Sequence, residues 1–248
     1  MFRKTKIALN AAQSRDSTMV ETMKGVHQVD GVNANSYLIQ ENDGSITLID
    51  SGMSTNGKKI LEYLKTNLSK QPLDLKTIVL THSHVDHIRG ISAIKKATGA
   101  KVAIHDQDAD FLSKKKKLPP PKGATGFIFR LFSVFMQSAA VEPDIRLNEN
   151  DKIGSSLTVV HTPGHTPGSI SLYDQGRKLI FVGDAITNRG GKLQGSIKRF
   201  SFDLPQADRS VEKISSLDFE SLLSGHGEPV RSGGSQKVRE LSETLNKK

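Results

Sequence analysis

The 248-residue sequence contains no cysteine and no tryptophan, and aromatic residues make up only 5% of it. Without a thiol, the chain has no disulfide, no thiolate nucleophile, no CxxC redox pair and no cysteine-bound zinc or iron–sulfur cluster. Any metal ion must therefore be held by histidine, aspartate or glutamate. The scarcity of aromatic side chains also argues against a surface on which single-stranded nucleic acid would stack.

Long hydrophobic runs are absent as well. The longest apolar stretch, residues 127–141, is interrupted by Arg130, Ser133, Gln137 and Ser138, and it is too short and too polar to cross a bilayer. The first 20 residues carry basic side chains but no apolar run of signal-peptide length. We therefore expect a cytoplasmic protein without a transmembrane segment.

Positive charge predominates, with 35 Lys and Arg against 26 Asp and Glu and a formal net charge of +9. A basic surface attracts anionic partners, but net charge governs steering and non-specific binding, not the chemistry that follows. The hydrophobic fraction of 35% and the charged fraction of 25% are those of an ordinary globular chain. Because this length suffices for one large core, we predict a single domain over residues 1–248.

The apolar pattern switches between periods of two and 3.6 residues, which is typical of a layered α/β domain. Short apolar runs predict strands at residues 46–49, 77–80, 101–104, 157–160, 170–173, 179–182 and 219–223. Apolar stripes predict helices at residues 60–68, 205–217 and 238–245, and Pro205 suits the first turn of the second helix.

A basic and amphipathic insertion, at about residues 110–145, interrupts this alternation of predicted strands and helices. It contains the lysine run 114–117, the prolines 119–121 and an amphipathic stretch over 127–140. Three interpretations are open: a solvated basic loop followed by a helix packed on the domain, a lid over a neighbouring site, and a helix lying on a membrane surface.

The sharpest motif is His82-Ser83-His84-Val85-Asp86-His87, directly after the strand predicted at residues 77–80. Three imidazoles and a carboxylate within six residues would fill a core at high cost, because buried ionisable groups need partners. In an extended segment, residues i and i+2 point to the same side, whereas on a helix they diverge. We predict a loop in which His82 and His84 point together while Asp86 and His87 face an adjacent point.

Two such pairs cannot complete two four-coordinate shells, so further nitrogen or oxygen ligands are needed. Candidates follow three other predicted strands: His165 within the segment 161–169, Asp184 after Gly183, and His226 in the sequence Gly225-His226-Gly227. Neighbouring glycine and proline residues allow the sharp turns that present a side chain to a cleft. The remaining histidines lack such a context and are expected to be structural: His27, His105 and His161.

These segments, preceded by Ile49-Asp50-Ser51-Gly52, resemble the ordered motif set of the metallo-beta-lactamase fold superfamily. The five motifs occur in the family order and span residues 50–226. The resemblance implies an α/β fold of the four-layer αββα type, with two divalent metal ions at one edge of the β layers.

Carried over residue by residue, the resemblance implies that His82, His84 and His165 bind the first metal. It implies a second metal bound by Asp86, His87 and His226, with Asp184 bridging the two ions. Asp50 would order the His82 loop without binding metal. A metal-bound hydroxide would be the nucleophile, with Asp86 and Asp184 as catalytic residues. We expect zinc, although the same nitrogen and oxygen set accepts iron or manganese.

Departures from the family's subclasses bear on the substrate. The commonest zinc beta-lactamases place a cysteine in the second metal site, and this chain has none. Glyoxalase II enzymes are similar in ligand set but carry a helical C-terminal domain, whereas 22 residues follow His226 here. Lactonases of the family commonly have a tyrosine three residues after the bridging aspartate, where this chain has Thr187.

We therefore expect a hydrolase with two metal ions that cleaves an ester, thioester or lactone of a small molecule. The alternatives are a phosphodiesterase or nuclease, an iron-dependent persulfide dioxygenase, and a binding module that has lost turnover. The basic charge suits a nuclease, but outside the insertion the sequence has no RNA-gripping addition, so nucleic acid is not favoured as a partner.

Overall fold

The computed structural model describes residues 21–29, 34–117 and 139–247. Residues 118–138 lie outside the described residues, and with them lies most of the predicted insertion, so its three interpretations remain open. The single-domain prediction for residues 1–248 and the cytoplasmic location also stay predictions.

The first sheet has seven strands in the order β1 to β7. Neighbouring strands from β1 to β4 are antiparallel, whereas those from β4 to β7 are parallel. Its strands are β1 (Glu21–Met23), β2 (Val26–Val29), β3 (Ser36–Gln40), β4 (Ile46–Ile49), β5 (Leu75–Leu80), β6 (Lys101–His105) and β7 (Ile145–Leu147).

Parallel neighbours require crossover connections, and helices supply them here. Between β4 and β5 lies α1 (Ser54–Thr66), followed by the 3-10 turn Pro72–Asp74. The β5 to β6 connection contains α2 (Val85–Ile88) and α3 (Ile91–Thr98), and α4 (Asp106–Leu112) follows β6 directly.

The second sheet has five strands in the order β14-β11-β10-β9-β8. They are β8 (Lys152–Ile153), β9 (Leu157–His161), β10 (Ile170–Asp174), β11 (Leu179–Gly183) and β14 (Ser221–Ser224). A separate hairpin is formed by β12 (Ile186–Arg189) and β13 (Lys192–Gly195), and the 3-10 turn Lys198–Phe200 follows it. Helices α5 (Leu204–Ser215) and α6 (Gly234–Leu245) complete this half.

Three apolar clusters separate four layers. One lies between the first sheet and helices α1, α3 and α4, the second lies between the two sheets, and the third lies between the second sheet and helices α5 and α6. Strand alternation explains this division. Ile78 faces the helices while Val79 faces the opposite sheet, and Ile180 and Phe181 divide in the same way in β11. The αββα sandwich is confirmed.

The seven predicted strands are present, with ends shifted by one or two residues, and all three predicted helices form. The loop prediction for the histidine motif is wrong beyond His84, because Val85–Ile88 forms a helical turn. Short or polar elements carried too little apolar periodicity to be predicted: β1, β2, β3, β7, β8, β12, β13, α3 and α4.

Strand direction brings three strand ends of the second sheet to one edge. Strands β11 and β14 are parallel, and β9 has the same direction as β11 because both are antiparallel to β10. The segments with His165, Asp184 and His226 therefore leave the second sheet on the same side. Within the three described ranges, no helix combines the length and apolar character that crossing a membrane needs.

Replacing Leu172, fully buried between the sheets, by alanine should lower the free energy of unfolding by about 2–5 kcal/mol, because it removes apolar contacts and leaves a cavity. The matched change Leu73→Ala alters a side chain that is 66% exposed and should cost less than about 0.5 kcal/mol. Urea denaturation of both variants measures the difference. Equal losses would contradict the assignment of the inter-sheet core.

Candidate metal centre

His82, His84 and His165 form the first cluster of candidate ligands. One ligand atom from each lies within 4.8 Å of the others. The ring centroids of His84 and His165 are 4.5 Å apart, and the His82 ring lies 4.8 Å from each of them. Residues 82–84 lie in neither a helix nor a strand, and the backbone of His84 is extended, which agrees with the predicted convergence of His82 and His84.

Asp86, His87 and His226 form the second cluster, again with ligand atoms within 4.8 Å of one another. Asp86 and His87 lie on the helical turn α2, whereas His226 lies in the loop after β14. The His226 Nε2 atom is 3.3 Å from the Asp86 Oδ2 atom. The turn places adjacent residues at the second cluster while the extended segment before it serves the first.

Asp184 lies between the two clusters. Its Oδ2 atom is 3.4 Å from the Nε2 atoms of both His165 and His226, and its Oδ1 atom is 3.4 Å from the Nε2 atom of His87. The carboxylate thus contacts one histidine of the first cluster and two of the second. The structure brings together all seven residues that the sequence resemblance placed at the metals.

Several of these polar atoms are buried without a hydrogen-bond partner: His82 Nε2, His87 Nε2, His165 Nε2 and Asp184 Oδ1. Buried polar atoms are usually hydrogen-bonded, so four unbonded imidazole and carboxylate atoms facing one another require an explanation. Imidazole nitrogen and carboxylate oxygen are suitable ligands for zinc, iron and manganese. The donor set therefore fits divalent metal ions.

The histidine pKa values are lowered in the first cluster and raised in the second. Burial lowers the pKa of His82 well below its usual value and lowers that of His165 to about 3. Burial acts in the same direction on His87 and His226, but neighbouring carboxylates outweigh it there. The pKa of His87 is raised well above its usual value, and that of His226 is raised to about 9.

The carboxylates show the complementary shifts. Burial would raise the pKa of Asp184, but the charge of His87 and the hydrogen bond with His226 hold it well below the usual range. Burial also acts to raise the pKa of Asp86, but the hydrogen bond with His226 and the charge of His87 outweigh it and lower this pKa to about 2. Both carboxylates are therefore ionised at neutral pH and available to a cation.

Asp50 lies behind the clusters and outside them. Its carboxylate accepts hydrogen bonds from the Thr81 backbone N–H at 2.8 Å and the Thr81 hydroxyl at 2.7 Å. It also contacts the Nδ1 atom of His87 at 2.8 Å. This contact fixes the His87 ring and leaves its Nε2 atom facing the clusters, which is how supporting carboxylates commonly orient ligating histidines.

Gly225 is required by the close approach of two candidate ligands. A Cβ atom at this position would lie 2.3 Å from Asp184 Oδ1 and 2.7 Å from His87 Cε1. Both distances are shorter than non-bonded atoms tolerate, so a side chain here would displace the carboxylate or the ring. The glycine before His226 therefore makes room for the centre itself.

Asn35 and Tyr37 support the loop of His226, and sequence reasoning missed both. The Asn35 amide donates to the carbonyls of Ser224 at 3.0 Å and Gly227 at 2.8 Å. The Tyr37 hydroxyl donates to the Ser224 carbonyl at 2.7 Å. Because these partners are about 190 residues away along the chain, no local pattern could reveal the contact.

The other three histidines lie outside the clusters. His27 Nδ1 contacts the Tyr63 hydroxyl at 2.9 Å in the first half of the molecule. His105 and His161 stack with ring centroids 3.9 Å apart, and His161 Nε2 contacts the Pro167 carbonyl at 2.9 Å. Their contacts are those of structural residues.

The profile of the metallo-beta-lactamase superfamily matches residues 29–226. "Probable metallo-hydrolase YflN" of Bacillus subtilis strain 168 is 30% identical, over 94% of this chain and 94% of the relative. "Hydroxyacylglutathione hydrolase GloC" of Haemophilus influenzae is 26% identical, over 78% and 85% of the two chains. Human "Acyl-coenzyme A thioesterase MBLAC2" is 29% identical, over 79% and 74%.

Among solved structures, the Cronobacter sakazakii metallo-beta-lactamase with a HARLDQ motif superposes with a TM-score of 0.70 at 19% identity. The superposition covers 92% of each chain. At this identity, the likeness bears on the fold alone.

Metal binding to the metal-free protein should release protons from the second cluster. The pKa of about 9 keeps His226 protonated at pH 7, and the proton must leave before its nitrogen can bind a cation. Apparent affinity for Zn²⁺ should therefore rise with pH, by about tenfold per unit for each proton displaced.

Calorimetric titration of Zn²⁺ between pH 6.5 and 8, in buffers of different ionisation enthalpy, measures this release. The His226→Gln variant is the control and should release fewer protons. Heats that do not depend on the buffer would contradict the proton-bound state of the second cluster.

Proposed function

The chain belongs to the metallo-beta-lactamase superfamily of metal-dependent hydrolases, and on that premise we propose that it hydrolyses thioesters of an anionic carrier thiol. The observation that carries the hydrolytic centre is the buried group of unpaired His82, His87 and His165 nitrogens around Asp184. We propose that the first metal is held by His82, His84 and His165, the second by Asp86, His87 and His226, and that Asp184 bridges them.

Two divalent cations held by these residues would supply Lewis acidity, which would lower the pKa of a coordinated water towards neutrality and polarise the substrate carbonyl. The chain's own residues supply the geometry. Asp50 holds His87, the chain turn at Gly225 admits His226, and the ionised Asp184 stands between the clusters. This arrangement needs no serine or cysteine nucleophile.

Asp86 has a position that suits hydrogen bonding to a water as well as metal binding. Its side chain is 30% exposed, whereas that of Asp184 is 7% exposed. An ionised carboxylate at the open side of the centre is able to accept a hydrogen bond from an attacking water and orient it. We therefore assign Asp86 both a ligand and an orienting role.

A segment we name the 196–203 strap supports the choice of an anionic carrier. At its start, the Ser196 hydroxyl donates to the Asp184 carbonyl at 2.6 Å. At its end, the Phe202 backbone N–H donates to the His165 carbonyl at 3.0 Å. Because both ends are tied to candidate ligands, we propose that the middle of the strap borders the centre.

The strap offers cations and aromatic surface together. Lys198 and Arg199 are exposed, and the Arg199 guanidinium lies 4.8 Å above the centroid of the Phe200 ring. Phe200 is 38% and Phe202 51% exposed, and both stand out among the described residues as large exposed apolar side chains. Cations beside rings suit a carrier with phosphate or carboxylate groups and an apolar or aromatic part.

The Haemophilus and human relatives support a thioester substrate over other esters. One is named for coenzyme A thioesters and the other for a glutathione thioester, and both carriers are anionic thiols. The match covers 85% of the Haemophilus relative, which is named for a glutathione thioester, so this substrate stays within the proposal. Thr187 has no phenol, so it cannot act as the tyrosine of the lactonases does.

A substrate panel with the metal-loaded protein tests the proposal. Thiol release from acyl-coenzyme A and hydroxyacylglutathione is followed with a disulfide reagent, which has no protein background because the chain lacks cysteine. Faster turnover of thioesters than of p-nitrophenyl esters and lactones supports the proposal. Preferential cleavage of bis-p-nitrophenyl phosphate or RNA, or oxygen uptake with a persulfide, would replace it with the phosphodiesterase or dioxygenase alternative.

Replacing Asp184 by asparagine should reduce kcat at least about a hundredfold and lower the metal content below two per chain, because the amide neither carries the charge nor bridges two cations well. The matched control Asp218→Asn changes an aspartate that is 78% exposed and should leave both quantities unchanged. Turnover and elemental analysis are the measurements. Wild-type values for Asp184→Asn would exclude the bridging role.

Removing both strap cations, by Lys198→Ala with Arg199→Ala, should raise KM for an acyl-coenzyme A roughly tenfold, at about 0.7 kcal/mol for each exposed contact, with kcat retained. The control pair Lys237→Ala with Arg239→Ala removes the same charges from α6, where both residues are also exposed. Added salt should raise KM for the wild type and affect the strap variant less. An equal KM rise in the control pair would show net charge, not the strap, to be responsible.

A further inference from the structure

Asp108 is a buried carboxylate that the proposed chemistry does not use. It is the third residue of α4 and has no exposed surface. Neither the sequence motifs nor the two ligand clusters include it. A fully buried aspartate is rare unless it is paired or hydrogen-bonded, so its partners indicate its purpose.

Those partners belong to the two segments that carry the first cluster. The Asp108 Oδ2 atom accepts hydrogen bonds from the Ser83 backbone N–H at 2.9 Å and the Thr166 hydroxyl at 2.7 Å. The Oδ1 atom accepts from the Gly168 backbone N–H at 2.7 Å. Ser83 separates His82 from His84, and Thr166 follows His165. One carboxylate therefore ties together all three candidate ligands of the first metal.

The fit around this carboxylate is close. A Cβ atom at Gly168 would lie 2.6 Å from the backbone nitrogen and the Cβ atom of Asp108. Thr166 is itself held in place, because its backbone N–H donates a hydrogen bond to the Ser169 hydroxyl at 2.9 Å. A shift of Asp108 would therefore move the ligand segments and not merely rotate a side chain.

The charge of Asp108 is not balanced by the protein. Its three donors are neutral groups, and no lysine or arginine ion pair involves it within the described part of the chain. Burial accordingly raises its pKa, although the hydrogen bonds oppose this. Its donors Ser83 and Thr166 are adjacent in sequence to His82, His84 and His165, so a cation held by these histidines would offer a balancing positive charge.

We propose that Asp108 is a positioning residue whose carboxylate fixes the spacing of the first cluster and whose negative charge strengthens its hold on a cation. Polar groups behind metal ligands typically change metal affinity by about 10- to 100-fold. The inference rests on the proposed ligand role of His82, His84 and His165, and it adds a residue from outside the family motifs quoted above.

The test compares Asp108→Asn with Asp174→Asn. Asp174 is also fully buried, but it pairs with Arg177 at the end of β10 that points away from the clusters. Zn²⁺ affinity is measured by competition with a chelator, and the visible spectrum of bound Co²⁺ reports the geometry of its ligands. Thermal unfolding of the metal-free proteins reports stability separately.

We expect Asp108→Asn to weaken Zn²⁺ binding at the tighter site at least tenfold, to alter the Co²⁺ spectrum and to lower kcat more than it changes KM. Asp174→Asn should lower thermal stability and leave affinity and spectrum at wild-type values. If Asp108→Asn does not fold, Thr166→Val removes one of the three donors and should shift affinity and spectrum in the same direction by a smaller amount.

Wild-type affinity and spectrum in Asp108→Asn, or in Thr166→Val where that variant is needed, would overturn the inference and leave the proposed function intact. An equal affinity loss in Asp174→Asn would also overturn it, because the effect would then be one of general stability. Failure of the wild-type protein to bind Zn²⁺ or Co²⁺ would instead refute the proposed function, and the two failures are therefore distinguishable.

Discussion

The structure depends on one electrostatic constraint, the confinement of seven ionisable side chains to a single buried space. Imidazoles and carboxylates are costly to bury unless each finds a partner. Some do so here, since Asp184 lies 3.4 Å from three histidines. These contacts are incomplete, since the Nε2 atoms of His82, His87 and His165 make no hydrogen bond. Several buried imidazole and carboxylate atoms without hydrogen bonds, gathered in one place, are expected where a cation binds.

Burial of the apolar layers offsets the free-energy cost of confining these ionisable side chains. The three clusters that hold the helices and sheets together contain none of the seven side chains. The sandwich can therefore form from burial of its leucine, isoleucine and valine side chains while the polar centre stays at the edge. This separation explains why an interior leucine is important for stability and a ligand is important for chemistry.

Three polar contacts support the ligand segments around the centre, and two of them join the two halves of the chain. Asp50 holds His87, Asp108 holds the segment of His165, and Asn35 holds the loop of His226. The last two contacts connect residues 58 and 192 positions apart. Because the supporting groups come from the first sheet's half and two of the supported segments come from the second, the centre reaches its geometry only when the sheets have packed together.

This long-range assembly marks the limit of sequence reasoning. The histidine motif could be interpreted locally, because extended spacing makes His82 and His84 converge and strand ends share an edge of the sheet. The turn at Val85–Ile88 was missed because four residues carry no helical periodicity. Asp108 and Asn35 were missed for a different reason: each acts on a partner far along the chain, and neither residue is unusual in its own segment.

The residues proposed to contact the substrate are positioned by different parts of the fold from the candidate metal ligands. The metal clusters depend on strand ends, whose positions the two sheets determine, whereas Lys198, Arg199, Phe200 and Phe202 lie on a strap between a hairpin and a helix. A chain that shares 19% identity with the Cronobacter enzyme superposes over 92% of its length, so the architecture tolerates extensive replacement of side chains. The fold alone therefore does not determine the reaction, and in the function proposed above the charge and shape of the strap select the carrier of the acyl group.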